Sequence, residues 1–330
     1  MEEDDLSPFA MIQFLFGDSD AALTIMSRGK RFHISIATED LRGTHGDELV
    51  QKFLDYKKNM NDVPHIMEEF MDWMVKPCIS YMDRFKPPTP REEPPSLAEY
   101  FAPETVVLKL ANKQGRLKAT LCPEETSDTY SATPKIALSD PLVQEATSQG
   151  IPLIPAAQLK AVLGPEAHEA DYDLIPTTVQ MIGEETSFHF KGTFIEQCFH
   201  RELDMLLRLR SDIFPDDMRV SRLGGLVLSS DGGSVLGLLV EYICDSKTLD
   251  EAVEGSEAEE RGEWMRQLRD TVEQLHAGGI VWDDVKPHNI LVDSNSDVWV
   301  IDFGGGCAGG VEGVEGDLEG LSRIATFLSL

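Results

Sequence analysis

The order of apolar and polar positions along the second half of the chain predicts mainly strands first and then a long helix. Alternating or continuous apolar runs predict strands in "AAQLKAVL", "DYDLIPTTVQMIGEETSFHFK", "GGLVLSS" and "VLGLLVEYI". Apolar residues spaced by three and four predict helices over "FIEQCFHRELDMLLRLR" and "EWMRQLRDTVEQLHAGGI", the second of which ends at Gly278 and Gly279. This order indicates an α+β unit with two lobes.

The first half of the chain has fewer clear patterns. A strand is predicted at "RFHISIA", a β-hairpin at "TVVLKLANKQGRLKATL", and two helices within the first 85 residues. In the second helix Met67, Phe70, Met71 and Met74 form a stripe typical of a core face, and Pro77 should bend or end it. We expect an N-terminal α+β region over residues 1–125, a linker over 126–154, and a second domain over 155–330.

The charge balance limits the classes of partner. Lys and Arg total 29 against 58 Asp and Glu, a formal net charge of -29. Such a field repels nucleic acid and anionic lipid, so neither is an expected partner. The N-terminus "MEEDDLSPFA" lacks a signal pattern, and five scattered cysteines suggest neither a disulfide framework nor a zinc site. The expected location is intracellular, either cytoplasmic or nuclear.

Three polar residues interrupt an apolar stretch near the C-terminal end, "WDDVKPHNILVDSNSDVWVIDFGGG". Asp284 and Asn289 lie on a loop after a helix, and a predicted hairpin would bring Asp302 back beside that loop. A carboxylate and an amide oxygen suit Mg²⁺, and a second carboxylate can orient a hydroxyl that attacks a phosphate. The alternative is structural, with Asp284 and Asn289 capping a turn and Asp302 ending a strand.

These residues resemble the catalytic loop and the magnesium-binding Asp-Phe-Gly of protein kinases. The motif is similar to that of divergent kinase-like chains common in filamentous fungi. The resemblance implies ATP and Mg as ligands and a two-lobed fold whose small lobe spans about 155–243 and whose large lobe, about 244–330, is truncated. It assigns the catalytic base to Asp284, a phosphate contact to Lys286, and the magnesium ligands to Asn289 and Asp302. Phe303 and Gly304 complete the second motif.

The resemblance also implies upstream and downstream site residues. Lys191 would grip the ATP phosphates and pair with Glu202, with Glu196 as an alternative partner. Backbone groups around Glu241, Tyr242 and Ile243 would bind adenine at the hinge between the lobes. Asp317 would support the catalytic loop, although an N-cap of a helix explains it equally well.

Several features depart from the kinase pattern. No G-x-G-x-x-G precedes Lys191, Trp282 and Asp283 replace the usual His and Arg, and Trp282 is expected in the core. Only 14 residues separate Asp302 from Asp317, which is short for a peptide-binding platform. Three hypotheses remain: an ATP- and Mg-dependent phosphotransferase, a pseudokinase that acts as an interaction protein, and a small-molecule kinase similar to aminoglycoside or choline phosphotransferases.

Overall fold

The structure is a computed structural model that describes residues 9–43, 47–60, 65–86, 95–122, 135–163, 174–193, 195–305 and 313–330. The chain folds into two compact units. The first contains the described residues of Met1–Pro95, Glu99–Ala132 and Val162–Pro176. The second contains those of Ser96–Ala98, Thr133–Ala161 and Thr177–Leu330.

The first unit is built on a sheet whose described strands follow the chain order. The strands are β1 (Ala10–Phe16), β2 (Asp20–Ser27), β3 (Lys30–Ala37), β4 (Thr105–Lys113) and β5 (Arg116–Leu121). Neighbours are antiparallel except β3 and β4, which are parallel. A parallel pair needs a crossover connection, and helices lie in the sequence between these two strands.

The helices of this crossover are short apart from two. They are α1 (Thr38–Leu41), α2 (Glu48–Asn59), α3 (Ile66–Val75), α4 (Ile79–Met82) and α5 (Leu97–Phe101). Pro77 lies in a 3₁₀ turn between α3 and α4, so the predicted interruption occurs there. Phe70 and Met74 of the predicted stripe are buried, but Met67 is exposed because it lies in the first turn of α3, at the edge of the packed face.

Sequence analysis detected only part of this sheet. The β4–β5 hairpin and β3 lie where the pattern predicts them, whereas β1 and β2 were not predicted. Their two faces are both largely apolar in sequence, so no alternation marked them as strands. Phe14 and Phe16 of β1 pack in the core of this unit, where their rings contact Phe70.

The second unit begins with a mixed sheet and a helix against it. The described strands of its main path run in the order β7 (Leu153–Pro155), β11 (Leu223–Leu228), β12 (Ser234–Glu241), β10 (Ser187–Gly192), β9 (Thr178–Met181) and β8 (Leu159–Ala161). The strand β6 (Ile136–Ala137) also pairs with β12. Helix α7 (Glu196–Arg208) packs its apolar side, including Phe199 and Leu203, into the core.

The described residues of the predicted linker over 126–154 form strands and a helix instead of a linker. Residues 135–154 supply β6, most of β7, and helix α6 (Pro141–Ser148), all within the second unit. Asp140 caps α6, and its Oδ2 lies 2.9 Å from Nε2 of His200 on α7. Val143 and Ala146 are buried. This stretch was mistaken for a linker because its strands are too short for a periodic signal and its polar residues serve as caps.

The remaining part of the second unit is mainly helical. Its elements are β13 (Lys247–Thr248), α8 (Leu249–Ala252), α9 (Ala258–Ala277), β14 (Ile290–Val292), β15 (Val298–Val300) and α10 (Val314–Phe327). The predicted hairpin is β14–β15, and β13 pairs with β14. The apolar residues that give the predicted helix α9 its spacing of three and four are buried, namely Trp264, Leu268, Val272 and Leu275. The sheet and this helical part are the two lobes of the α+β unit that the sequence predicts.

A single apolar core runs through both lobes of the second unit. The segment just before β11 is joined to β15 by an isolated bridge between Val220 and Val300. This packing fixes the loops that carry the polar residues singled out in the sequence. Among the residues that the structure describes, no helix is long and apolar enough to cross a bilayer.

Candidate active site

Lys191 lies between two carboxylates that come from distant parts of the chain. Its Nζ is 2.6 Å from Oε1 of Glu202 on α7 and 2.8 Å from Oδ1 of Asp302, which follows β15. Glu202 faces the interior because Phe199, Leu203 and Leu206 on the same side of α7 are buried. Glu196, the alternative partner, is exposed at the start of the helix. The structure thus brings Lys191, Glu202 and Asp302 together.

The three charges shift one another's pKa values in a consistent way. Burial alone would lower the pKa of Lys191, but the two carboxylates outweigh burial and raise it. Burial raises the pKa of Glu202 by more than the ammonium lowers it. Burial raises the pKa of Asp302, but Lys191 and the hydrogen bond from the Gly304 N–H lower it by more, so the pKa lies below its usual value. A protonated lysine and an ionised Asp302 therefore face the cavity at neutral pH.

The backbone at Asp302 is held in an unusual conformation. Its φ of 64° lies in the left-handed region, which is uncommon outside glycine and is frequent at functional sites. Phe303 is completely buried, and its N–H donates to the Glu202 carboxylate. The Gly304 N–H donates to Oδ1 of Asp302 at 3.3 Å. This turn orients the carboxylate of Asp302 toward Lys191.

Asp284, Lys286 and Asn289 form a second polar group on the loop before β14. Oδ2 of Asp284 accepts from Nζ of Lys286 at 2.7 Å and from Nδ2 of Asn289 at 2.8 Å. The Asn289 amide also donates to the backbone carbonyl of Asp284 at 3.0 Å. Lys286 is half exposed, whereas Asn289 is buried. These contacts hold the Asp284 side chain in one orientation.

Buried side chains of α10 and of the loop itself hold the loop that carries Asp284 in place. Asp317 of α10 is fully buried and accepts from the backbone N–H groups of Trp282 and Asp283, at 2.9 and 2.8 Å. Its Oδ2 also lies 2.8 Å from Nε2 of His276. Because the N-cap of α10 is Gly313, Asp317 does not cap this helix. The buried Trp282 donates its indole N–H to the carbonyls of Ile301 and Asp302, both at 3.0 Å.

A cavity of about 430 Å³ lies between the sheet and the loops. Lys191, Asn289 and Asp302 line it on one side, and Glu241, Tyr242 and Ile243 follow β12 on the other. The remaining lining residues are His189, Ser221, Val240, Ser246, Thr248, His288, Leu291 and Ile301. The segment predicted as a hinge and the residues predicted for phosphate and metal therefore share one cavity. Asp284 reaches it through its hydrogen bond to Asn289.

The glycine-rich loop expected in a kinase is replaced by a short turn between β9 and β10. Gly183 has a φ of 87° there, and Met181 and Thr186 close the turn through a backbone hydrogen bond of 3.2 Å. This connection is the one for which the sequence offered only "QMIGEET". It supplies one glycine where the kinase motif has three.

The donor set of the cavity fits a magnesium ion that shares its ligands with a phosphate. The side-chain hydrogen bonds of Asn289 use its Nδ2, and those of Asp302 use its Oδ1. One oxygen on each side chain, Oδ1 of Asn289 and Oδ2 of Asp302, is then available as a metal ligand. Within the described ranges, no three His, Cys, Asp or Glu side chains are grouped closely enough to hold a metal by themselves. Any metal here would need oxygen ligands from water or phosphate as well.

Several residues of the site were not predicted from the sequence. His189 faces the cavity because it lies two positions before Lys191 on β10, and alternation along a strand puts both on one face. Ser246 and Thr248 line the same cavity after the hinge. Arg201 of α7 contacts Asp283 in the loop around Asp284, and His276 of α9 contacts Asp317, which supports that loop. Only His189 had a signal in the sequence, its spacing from Lys191.

Residues 198–312 match the family model described as "Protein kinase domain". A probable serine/threonine-protein kinase MARK-C of Dictyostelium discoideum is 33% identical over 111 residues, which are 33% of this chain and 14% of that protein. The hormonally up-regulated neu tumor-associated kinase of Mus musculus is 40% identical over 74 residues, which are 22% of this chain and 9% of that protein. The chain thus spans only a small part of the length of these curated relatives.

Among solved structures, the kinase PK-1 of Cydia pomonella granulovirus is 23% identical and has a TM-score of 0.32, with 38% of this chain and 46% of that chain covered. That similarity is too low for the two folds to be compared. The family match covers Asn289 and Asp302, which line the cavity, and also Glu202 and Asp284, which contact lining residues. Residues 198–312 are therefore similar to a protein kinase domain, and the two-lobed α+β arrangement of the second unit agrees with that similarity.

Proposed function

We propose that the second unit binds ATP with Mg²⁺ and transfers the γ-phosphate to a hydroxyl group. One observation carries the proposal: Lys191 is paired with Glu202 and Asp302 at the cavity that Asn289 also lines. Within a strongly acidic chain, this partly buried ammonium supplies the local positive charge that a triphosphate requires. The structural alternative, in which these residues only end turns, does not explain why they converge on a cavity.

Each residue has a defined task in the proposed reaction. Lys191 contacts the phosphates and is oriented by Glu202. Asn289 and Asp302 would hold Mg²⁺, which when bound offsets the phosphate charge and positions the transferred group. Asp284 orients the acceptor hydroxyl and accepts its proton through the oxygen that Lys286 and Asn289 do not engage. Lys286 is close enough to Asp284 to contact the transferred phosphate as well.

The nucleobase is assigned to the other end of the cavity. The Glu241 N–H is occupied by the carbonyl of Arg222 at 2.8 Å, so donors to adenine must come from beyond that position, at Tyr242 or Ile243. The Ile243 carbonyl accepts from the Ser246 hydroxyl at 2.8 Å, which fixes the backbone after the hinge. The apolar side chains Val240, Leu291 and Ile301 line the cavity and offer faces for a flat ring.

A small-molecule acceptor suits this architecture better than a folded protein surface. Only residues 303–313 lie between Asp302 and α10, which is little chain for a peptide-binding platform. The chemical class proposed is therefore an alcohol of low molecular weight. A second candidate function is a nucleotide-binding domain without turnover, which is favoured by the short turn in place of the glycine-rich loop.

The proposal is tested by titrating ATP, with and without Mg²⁺, while the unfolding temperature and the heat of binding are recorded. Binding to the folded protein alone raises its stability by mass action. We expect a magnesium-dependent increase for the natural protein and none for Lys191→Met or Asp302→Asn. Lys160→Met, on β8 of the same sheet and outside the cavity, is the matched control and should behave as the natural protein. No binding by the natural protein would refute the proposal.

Turnover is then measured with γ-labelled ATP and a panel of alcohols. Asp302→Ala should abolish transfer, since the metal loses its charged ligand. Asp284→Ala should reduce transfer with a smaller effect on the Kd for ATP, because Asp284 contacts the acceptor rather than the nucleotide. The opposite pattern would show that the two roles are exchanged. Magnesium-dependent ATP binding without transfer to any acceptor, in the natural protein and in Asp284→Asn alike, would favour the domain without turnover.

We further propose that the protein works in a reducing compartment, the cytoplasm or the nucleus. Among the residues that the structure describes, the cysteines at 78, 122, 198 and 244 are not joined in disulfides. Thiols of this kind persist where glutathione and thioredoxin keep them reduced. Expression in the cytoplasm, followed by counting of free thiols, tests this.

A further inference from the structure

Two neighbouring residues of α7 carry opposite charges and reach in different directions. Glu202 turns to Lys191, as described above. Arg201 extends instead to the loop before Asp284, where its Nη2 donates to Oδ2 of Asp283 at 2.6 Å and to the carbonyl of Val281 at 3.4 Å. Successive residues of a helix point about 100° apart, so one helix can contact the nucleotide lysine and the catalytic loop together.

Asp283 is held firmly at its own end of this contact. Its N–H donates to the buried Asp317, and its Oδ1 accepts from the Gly313 N–H at 2.6 Å. Both carboxylate oxygens are therefore engaged, one by Arg201 and one by the start of α10. Its φ of 62° is one that Asp and Asn adopt more readily than other side chains. The side chain of Asp283 is 14% exposed and that of Arg201 34% exposed.

The guanidinium also packs on the chain that follows Asp302. A Cβ added at Gly305, whose φ is 77°, would lie 2.7 Å from Nε of Arg201. That Nε is itself buried with no hydrogen-bond partner among the described residues. Only glycine leaves space for the guanidinium here. Arg201 is thus fixed by the Asp283 carboxylate on one side and by the backbone at Gly305 on the other.

We infer that Arg201 and Asp283 are positioning residues: their ion pair holds α7 against the catalytic loop, so that Glu202 keeps Lys191 directed at the nucleotide. This inference rests on the proposed function for the meaning of Lys191, but the contact itself does not involve a ligand. Both partners are ordinary side chains of this chain, an arginine and an aspartate, and neither needs a modification to form the pair. The arrangement therefore needs no phosphate on the segment after Asp302 to fix the helix.

The experiment compares Arg201→Gln, Asp283→Asn, the double variant and Arg201→Lys. Asp283→Asn keeps an acceptor for the Gly313 N–H and tolerates the positive φ, so it removes mainly the charge. Arg208→Gln is the matched control: this arginine lies on the same helix and donates to the carbonyl of Gly279, away from the cavity. Thermal unfolding and circular dichroism establish that each variant is folded before it is compared.

The first readout is amide hydrogen exchange of residues 196–208 without nucleotide. Both single variants should exchange faster in this helix, and Arg208→Gln should match the natural protein except at its own end of the helix. The second readout is the Kd for ATP with Mg²⁺. We expect each single variant to weaken binding about tenfold, the double variant to weaken it no further, and Arg201→Lys to remain within about threefold of the natural protein.

The outcomes separate this inference from the proposed function. If the natural protein fails to bind ATP, the proposed function is wrong, and the exchange of α7 still decides whether the pair positions the helix. Unchanged exchange in the single variants, or losses of affinity that add in the double variant, would overturn the inference. So would a loss of affinity after phosphatase treatment of the natural protein, because the ion pair requires no phosphate.

Discussion

Lys191 Nζ lies 2.8 Å from Oδ1 of Asp302, a residue 111 positions further along the chain. The contact joins β10 of the sheet to the turn after β15, and Glu202 accepts from the same ammonium. One cation thus offsets two carboxylates at the cavity. Its removal affects both the stability of the protein and the binding of an anionic ligand, and the two effects can be measured separately.

Lys191→Met should destabilise the protein by about 2–4 kcal/mol at neutral pH, because it leaves the buried Glu202 without its cation. This loss of stability is smaller than for a fully buried ion pair because water in the cavity can solvate the Glu202 carboxylate. The pKa of Glu202 is raised in the fold and should rise further in this variant. A raised pKa stabilises the fold below the unfolded value of 4.5, and that contribution is lost as pH rises through the folded pKa. The measurement is urea unfolding of both proteins at pH 7.5 and pH 5.

The control is Lys191→Met combined with Glu202→Gln, which removes the titrating group. In this double variant the added pH dependence should disappear. An equal cost of Lys191→Met at both pH values would mean that Glu202 is not the group left unpaired.

His189 should make stability fall on mild acidification. Burial lowers its pKa first, Lys191 lowers it further, and Asp302 opposes both. Below the unfolded value of 6.5 the unfolded chain takes up a proton that the folded protein does not, so the free energy of unfolding decreases as pH falls through that region. His189→Gln should show a smaller decrease between pH 7.5 and pH 5.5 in urea unfolding.

His65→Gln is the comparison for this prediction, since His65 is largely exposed in the other unit. It should leave the pH dependence of unfolding as it is in the natural protein. If both glutamine variants behave alike, burial of His189 does not contribute to the pH dependence.

Asp317→Ala should cost about 3 kcal/mol of stability. The change leaves the N–H groups of Trp282 and Asp283 without their acceptor beneath the catalytic loop. It should also weaken ATP binding, since that loop carries Asn289. Glu319→Ala on the same helix, where the side chain is exposed, should change stability by less than about 0.5 kcal/mol. Chemical unfolding and an ATP titration of both variants check this, and equal effects would contradict it.

Gly320→Ala should destabilise the contact between α10 and the catalytic loop by about 1–3 kcal/mol. A Cβ at this position would clash with the Cβ of Val285, which is next to Asp284. Gly262→Ala in α9 is the matched change, because nothing lies within 4 Å of its added Cβ. It should stabilise by about 0.5–1 kcal/mol, as alanine favours helices. Thermal unfolding of the two variants should therefore shift in opposite directions.

The predictions from sequence succeeded where a pattern is local. The spacing of apolar residues by three and four gave the helices α7 and α9. The alternation of apolar and polar residues gave the hairpins β4–β5 and β14–β15. The strands β1 and β2, and the elements between residues 135 and 155, were missed since they lack such alternation or are too short to show it. Their identity depends on pairing with strands that are distant in the chain.

By itself the sequence determined which residue types could serve phosphate chemistry, because Asp284, Asn289 and Asp302 occur in a spaced motif and Lys191 ends a strand-like run. It did not determine that Glu202 rather than Glu196 meets Lys191, that Asp317 binds the loop rather than caps a helix, or that Arg201 meets Asp283. Those partners are 11 to 82 residues apart, and only packing of the core decides which long-range charges are desolvated together. Burial then makes each of these pairs specific, since a charge or polar group removed from water requires a partner.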